Sequence, residues 1–595
     1  MTLKRTLTVA RLLLVLSALG LASACGRSSE PASKAASEPA PRRSIEAIAD
    51  DFLAAYLERY PTLGTYYSIP GARHDRLFDN SPEALGAWED REDAWLAELD
   101  AIGEPKDVGS RDWVSYGVMH QQLEGSIATR VCHNELWQAS TTTAWYTALP
   151  FVFDVQPLDT PDLRQQALTR LGAVAGYIDT EIANLRNGLE LGYSAPRITV
   201  EAVPEQVRAL LKPDNPFLNM GSRADDPAFA KKVQNLFDSQ IATAIERFAT
   251  FIEHEYLPKA RKDIALSANP EGAKCYPALV RSFASIQPSA EEIHKLGLQQ
   301  IAKIHGEMQQ LIDQNFGGGP VEDFLRRVNT DPQFTFDSED AVLKYSQDAL
   351  AAARAAMPRA FGHVPKTEVV IKPYPAYAES GSGEYHPGSE DGTRPGIFYI
   401  AVKNPQHRSR AAQLSTLYHE TYPGHHLQVS IALALGDTMH PVAKYFFVSG
   451  FGEGWALYSE RLADELGLYP TPIDRMSMLS DQGARAARLV IDTGIHTMGW
   501  TRQQAVDYMK ANTAWASVDI ENEINRYISF PGQATSYMLG MLEIRRLRTE
   551  AEQQLGDGFD LRAFHDRVLG YGNITLPMLD ESIEAWIAAQ KGSAN

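Results

Sequence analysis

Apolar residues recur along this chain at the spacing of one helix face. Ile45, Ile48, Phe52, Ala55 and Tyr56 fall three or four positions apart, which makes them a single stripe once the segment is wound into a helix. The same period returns at 81–102, 162–191, 226–267, 290–316 and 337–357, and almost without interruption after Ala411. Pro61, Pro157, Pro161 and Pro204 mark helix boundaries, because proline supplies no backbone donor to a helix interior. One interval departs from this period. Residues 367–372 and 396–402 read as strands, joined by a loop over 377–395 that is rich in Gly, Pro, Ser and acid and is too long for a tight hairpin. The pattern predicts a mainly α protein, a large helical body with a small β-sheet of two or three strands near residues 367–402. The strand at 396–402 is a candidate edge for an extended peptide, with a covered strand as the equal alternative.

Composition narrows the function classes. A hydrophobic fraction of 44% over 595 residues suffices for an extensive core, and 22% charged residues is ordinary, so global disorder is excluded. The net charge of −19 argues against a general binder of phosphate backbones, and no nucleic-acid partner is expected. Three cysteines are too few for a disulfide scaffold, and no Cys-x-x-Cys pair offers a zinc ribbon. The run Gly317-Gly318-Gly319-Pro320 lacks the Gly-Lys-Ser/Thr of a phosphate loop and reads as a helix terminator. No Gly-x-Ser-x-Gly nucleophile elbow occurs. A large acidic globular enzyme is the expectation that remains.

The first residues read as an address. Lys4, Arg5 and Arg11 precede an apolar stretch from Leu12 to Leu21, and Ala22-Ser23-Ala24 supplies small residues for cleavage, so 1–24 is expected to be a signal peptide. The apolar stretch is too short for a permanent span. Cys25 follows directly and resembles the lipidated cysteine of a bacterial lipobox. A segment rich in Ser, Ala and Pro to residue 43 then reads as a flexible tether, and 44–595 as one helical domain. The expected location is the bacterial envelope, lipid-anchored in the outer membrane and facing the periplasm. Export permits a disulfide between Cys132 and Cys275, with two buried thiols as the alternative.

The candidate chemistry lies in Tyr418-His-Glu-Thr-Tyr-Pro-Gly-His-His-Leu-Gln428. His419 and Glu420 open it like the zinc-peptidase signature His-Glu-x-x-His, in which two histidines one turn apart share a metal and the Glu serves the attacking water. Here Pro423 stands where the second histidine would be, and the next histidines are His425 and His426. An unbroken helix would bring His426 nearest the face of His419. A bulge absorbing two residues would bring His425 there instead. Periodicity leaves both open. Downstream, Phe451-Gly-Glu-Gly-Trp-Ala-Leu-Tyr-Ser-Glu-Arg461 starts a helix containing Glu453 and Glu460. Two His and one Glu would leave zinc a free position, the arrangement of a catalytic site.

These segments make the chain resemble a bacterial family catalogued as domain of unknown function 885, whose hallmark is His-Glu-x-x-Pro-Gly-His. The resemblance also runs through Asp391-Gly-Thr-Arg-Pro-Gly-Ile-Phe-Tyr399, Glu-Gly-Trp-Ala-Leu-Tyr at 453–458, Arg488-Leu-Val-Ile-Asp-Thr-Gly-Ile-His496 and Arg526-Tyr-Ile-Ser-Phe-Pro-Gly-Gln-Ala-Thr-Ser-Tyr537. More distantly, Gly424-His425-His426-Leu427 is similar to the Gly-His-x-Leu of thimet oligopeptidase and carboxypeptidase Taq, and Tyr537-Met-Leu-Gly540 to their Tyr-x-x-Gly. That likeness implies a helical body with a deep groove, His425 as the second ligand and Glu453 as the third.

The expected roles follow. Zn2+ would be held by His419, His425 and Glu453, with Glu420 as general base and Tyr537 as a donor to the developing oxyanion. His426 and Glu460 would support the ligands from behind. Asp492 and His496, one turn apart, would form an orienting pair. Arg488 and Arg526 are candidates for a substrate carboxylate, with structural salt bridges, the commoner fate of such arginines, as the alternative. The expected activity is hydrolysis of short peptides. A metal-dependent amidase or esterase on a non-peptide substrate is the alternative, and a non-catalytic binding lipoprotein a further one.

Overall fold

Hydroxyl side chains begin the helices that the apolar period predicts. Ser44 caps Ile45–Arg59, Ser81 caps Pro82–Ile102 and Thr160 caps Pro161–Leu191, each accepting a backbone N–H that the first turn leaves without a helical partner. Ser289 and Glu292 form a reciprocal capping box at Ala290–Asn315. The computed structural model describes residues 43–328, 330–374, 383–390 and 392–593. The expected signal peptide, Cys25 and nearly all of the tether lie outside the described residues, as do Asp391 and part of the 377–395 loop. The protein is mainly α, as expected. The segment expected as a helix over 226–267 is helical only in its first part, from Pro227–Leu236 through a π turn at Phe237–Ile241 and Ala242–Phe251 to a second π turn at Ile252–Tyr256; after the 3-10 turn Leu257–Lys259, residues 260–265 leave the helix.

The apolar faces bury into two main cores. One gathers the N-terminal helices and the chain beyond Leu266; the other is confined to 139–260, where Leu171, Val174 and Ile178 meet Phe217, Phe248 and Ile252. Cys132 and Cys275 form a disulfide across a separation of 143 residues, at the base of the excursion that builds the second core. The open alternative is thereby settled for the disulfide. In the chain-entropy account, closing so long a loop restrains the unfolded chain by about 5 kcal/mol.

The sheet has three strands. β1 (Val369–Pro373) pairs parallel with β3 (Gly396–Ile400), and β2 (Glu384–His386) pairs antiparallel with β3 on its other side, with Tyr385 opposite Phe398. β3 is therefore the central strand: of the two readings, a free edge and a covered strand, the covered one holds, since both of its edges are taken and β2 is the strand at the margin. The loop contributed β2, three residues too short for a period to register. Among the described residues no helix is long and apolar enough to cross a membrane.

One helix organises the site. Pro472–Thr497 is buried along almost its entire length, and yet Asp481, Gln482, Arg485, Arg488, Asp492 and His496 lie on it. Burying so many polar groups is costly unless each finds a partner, so their partners define the interior of this half of the molecule.

Candidate metal centre

His419 sits in the last turn of the helix Leu414–Glu420. The chain leaves that helix at Thr421, passes a cis Tyr422–Pro423 peptide and starts a second helix, His425–Leu433. Across the break Gly424 N donates to the Tyr418 carbonyl (3.1 Å) and Leu427 N to that of Thr421 (3.4 Å), six residues back rather than four. The two extra residues are thus absorbed by ending one helix and beginning another, not by a bulge within one. A Cβ on Gly424 would lie 1.9 Å from the His419 carbonyl oxygen, so only glycine permits this turn. Trp455 Nε1 holds it from outside by donating to the Pro423 carbonyl (3.0 Å).

The break brings His425 to His419, with ring centroids 4.9 Å apart. Glu453 joins them from the helix Ser449–Glu465: its Oε2 lies 3.2 Å from His425 Nε2 and 3.5 Å from His419 Nε2. One donor atom from each of the three falls within 4.8 Å of the others, the only such cluster of three among the described residues. Two turns beyond Glu453, Glu460 accepts a hydrogen bond from His419 Nδ1 (2.8 Å), which directs Nε2 toward Glu453. Ser415 Oγ (2.8 Å) and Gln482 Nε2 (3.3 Å) donate to the other Glu460 oxygen. A histidine backed by a carboxylate, a second histidine and a carboxylate suit zinc, and this donor set fits it.

The electrostatics favour a cation here. Burial would push the His419 imidazole down, but its hydrogen bonds to Glu453 and Glu460 outweigh that and hold it at about 9. Burial would likewise raise Glu453, yet His419 and His425 hold it well below the usual carboxylate range. Glu420, facing the same cavity, is pushed up by burial against the pull of the two histidines. That is the direction a proton acceptor working near neutrality needs.

His426 faces the other way. Its Nε2 donates to the Thr367 carbonyl (3.1 Å) and its Nδ1 accepts from Tyr385 OH (3.1 Å), which ties the helix to the sheet. Burial pushes its imidazole down to about 4, so it is a neutral tether rather than a ligand.

The cluster opens into a cavity of about 650 Å³ whose walls include Tyr537, Arg488, Arg526 and the margin strand β2. Tyr537 stacks over His419 at 6.2 Å, and burial first, then Glu453, raises its phenol, which keeps it a donor. Arg488 and Arg526 both reach Glu523, which sequence reasoning missed. Arg485 was missed too. It lines the cavity and pairs with Asp481 one turn back (3.2 Å), an i, i+4 spacing visible in the sequence but ordinary on any helix. The expected orienting pair of Asp492 and His496 is corrected. Asp492 instead accepts from Tyr276 OH (2.6 Å) and Gly532 N (3.0 Å), with burial pushing its carboxyl up to about 7. His496 accepts from Leu266 N (3.1 Å) and donates to the Tyr527 carbonyl (3.0 Å). Both fasten chain segments inside the core, and neither lines the cavity.

The model of the family described as "Bacterial protein of unknown function (DUF885)" matches residues 61–583. A crystal structure of a candidate lipoprotein from Colwellia psychrerythraea is similar at 25% identity and a TM-score of 0.85, over 92% of this chain and 100% of that one. A candidate lipoprotein of unknown function from Shewanella oneidensis shares the fold at 18% identity and a TM-score of 0.70, over 91% of this chain and 99% of that one. No curated protein matches this chain.

Proposed function

We propose that this chain, which belongs to the bacterial DUF885 family, is a zinc-dependent hydrolase of short peptides, exported and lipid-anchored at Cys25 in the envelope, on the outer membrane facing the periplasm. The observation that carries the activity is the convergence of His419, His425 and Glu453 donor atoms beside a cavity that Glu420 also faces. The likeness of Gly424–Leu427 and Tyr537–Gly540 to helical zinc peptidases supports the same reading. The leader pattern, and the description of both structural neighbours as candidate lipoproteins, support export and the lipid anchor.

His419, His425 and Glu453 would hold the ion, and Glu460 would fix His419. A bound zinc ion supplies Lewis acidity toward a water and a carbonyl oxygen. Glu420 takes a proton from the attacking water and returns it to the leaving amine nitrogen, so one amide and one water give one acid and one amine. Tyr537 OH donates toward the carbonyl oxygen as negative charge gathers there.

The test compares zinc-loaded native protein with its Glu420→Gln variant on a mixed peptide library read by mass spectrometry. The native protein should cleave, and the variant should lose about 10²–10⁴-fold in rate while keeping its zinc. Silence from both with zinc bound would move the reading to a non-peptide amide or ester. Equal cleavage by both would overturn the role of Glu420.

A further inference from the structure

Arg488 lines the cavity with one edge of its guanidinium unused. The residue is 5% exposed. Its Nε donates to Tyr527 OH (2.8 Å) and its Nη2 to Glu523 Oε2 (2.9 Å), while Nη1 is buried with no hydrogen-bond partner. Glu523 cannot neutralise it alone, because the same carboxylate is gripped from both oxygens by Arg526 (Nε 3.0 Å, Nη2 2.9 Å). Two guanidiniums share one carboxylate, and the cluster keeps one positive charge. All three side chains line the cavity. Arg485 lines it as well, and its Nε and Nη1 are also buried without hydrogen-bond partners, but Asp481 at 3.2 Å and Glu460 at 4.0 Å balance its charge, which sets it apart from Arg488.

A buried N–H of a charged group without an acceptor is costly to leave unmade. The group that would best complete it is anionic and planar, since guanidinium pairs with carboxylate through parallel hydrogen bonds. Its position is informative. The Arg488 guanidinium carbon lies 4.4 Å from the centroid of the Tyr537 ring, and that ring lies 6.2 Å from the His419 imidazole. These two distances together bound the separation of Arg488 from the ligand cluster to about three extended residues, at roughly 3.3–3.6 Å each.

We infer that the Arg488–Arg526 wall anchors the terminal carboxylate of a peptide, so that the chain acts from the C-terminal end and cuts within the last one to three residues. This rests on the hydrolase reading above and adds the class of substrate to it. A bidentate carboxylate contact also explains why the cavity spends two arginines against one acid at this wall. Arg526 already uses its third nitrogen on Gln533 (2.8 Å), so Arg488 is the residue that meets the substrate.

The test separates binding from turnover. Zinc-loaded Glu420→Gln protein is immobilised and offered an equimolar pool of mixed-sequence octapeptides, each as free acid, C-terminal amide and N-acetylated acid. Retained peptides are counted by mass spectrometry. Free acids should be enriched over their amides by about tenfold or more, N-acetylation should have no effect, and the ratio should fall toward one in a second Arg488→Gln substitution. Equal retention of acids and amides, preference for a free amino end, or no retention at all would overturn the carboxylate site. The acid-to-amide ratio is read with Arg488 intact, so a poorly folding Arg488→Gln protein does not obscure the result. Enrichment of acids by a native protein that cleaves nothing would sink the hydrolase reading and leave the anchor standing. Cleavage of acids and amides alike would do the reverse.

Discussion

His425 and His426 are adjacent and chemically identical, and the fold gives them opposite work. His425 turns its Nε2 to Glu453, while His426 holds the sheet through Thr367 and Tyr385. The choice is made by backbone direction after the break at Gly424, not by either side chain. Glu460 shows the same dependence on context. On the surface it would be one more solvated helix charge; buried against His419 Nδ1, it sets which imidazole nitrogen faces the cluster. Burial would raise it, and Arg485 with His419 holds it below the usual range. Carboxylates placed behind a metal-bound histidine typically contribute 10–100-fold to affinity. Glu460→Gln, which keeps the size and loses the charge, should therefore weaken zinc binding by about that factor in a competition titration against a chelator. Unchanged affinity would show that Glu460 serves packing alone.

Helix ends and helix contacts place these residues. The break after Glu420 sets the two histidines side by side, where a continuous helix would have separated them. The helices Ser449–Glu465 and Ser536–Leu555 then approach so closely that a Cβ on Gly540 would fall 1.8 Å from the Gly450 carbonyl oxygen, and one on Gly454 would fall 2.6 Å from the Gly540 Cα. That contact fixes Tyr537, one turn before Gly540, relative to Glu453, one residue before Gly454. Gly540→Ala should push the helices apart and cost about 1–3 kcal/mol, the usual range for overpacking. Denaturant unfolding would measure it, and a stability equal to the native protein would refute the close contact.

At the scale of the whole molecule, two cores are joined by an excursion whose base the Cys132–Cys275 disulfide closes. A persistent disulfide belongs to an oxidising compartment, which agrees with the proposed export and with the leader pattern. Both features are read by one measurement. The intact mass of protein extracted from envelopes should start at Cys25 with a diacylglyceryl-type addition, and should gain two hydrogens on reduction under denaturing conditions. A chain without lipid on Cys25 would refute the anchor, and free thiols before reduction would refute the disulfide.

The helical class, the position of the sheet and the identity of His419, Glu420, Glu453 and Glu460 were legible in the residues, because period and local spacing are local properties. Gly540 was visible as part of a motif, although its reason, a backbone oxygen from another helix, was not. The pairings of Asp492 with Tyr276 and of His496 with Tyr527 were not legible either, since neighbours on one helix face need not bond each other when the interior offers better partners. β2 was too short to carry a period, and Glu523 and Arg485 look like ordinary helix charges until burial removes water from around them. The sequence by itself determined which side chains were available and on which elements they stood. Only the tertiary structure decided which of them meet, because donor direction, burial and the partner across the cavity come from distant segments brought together by packing.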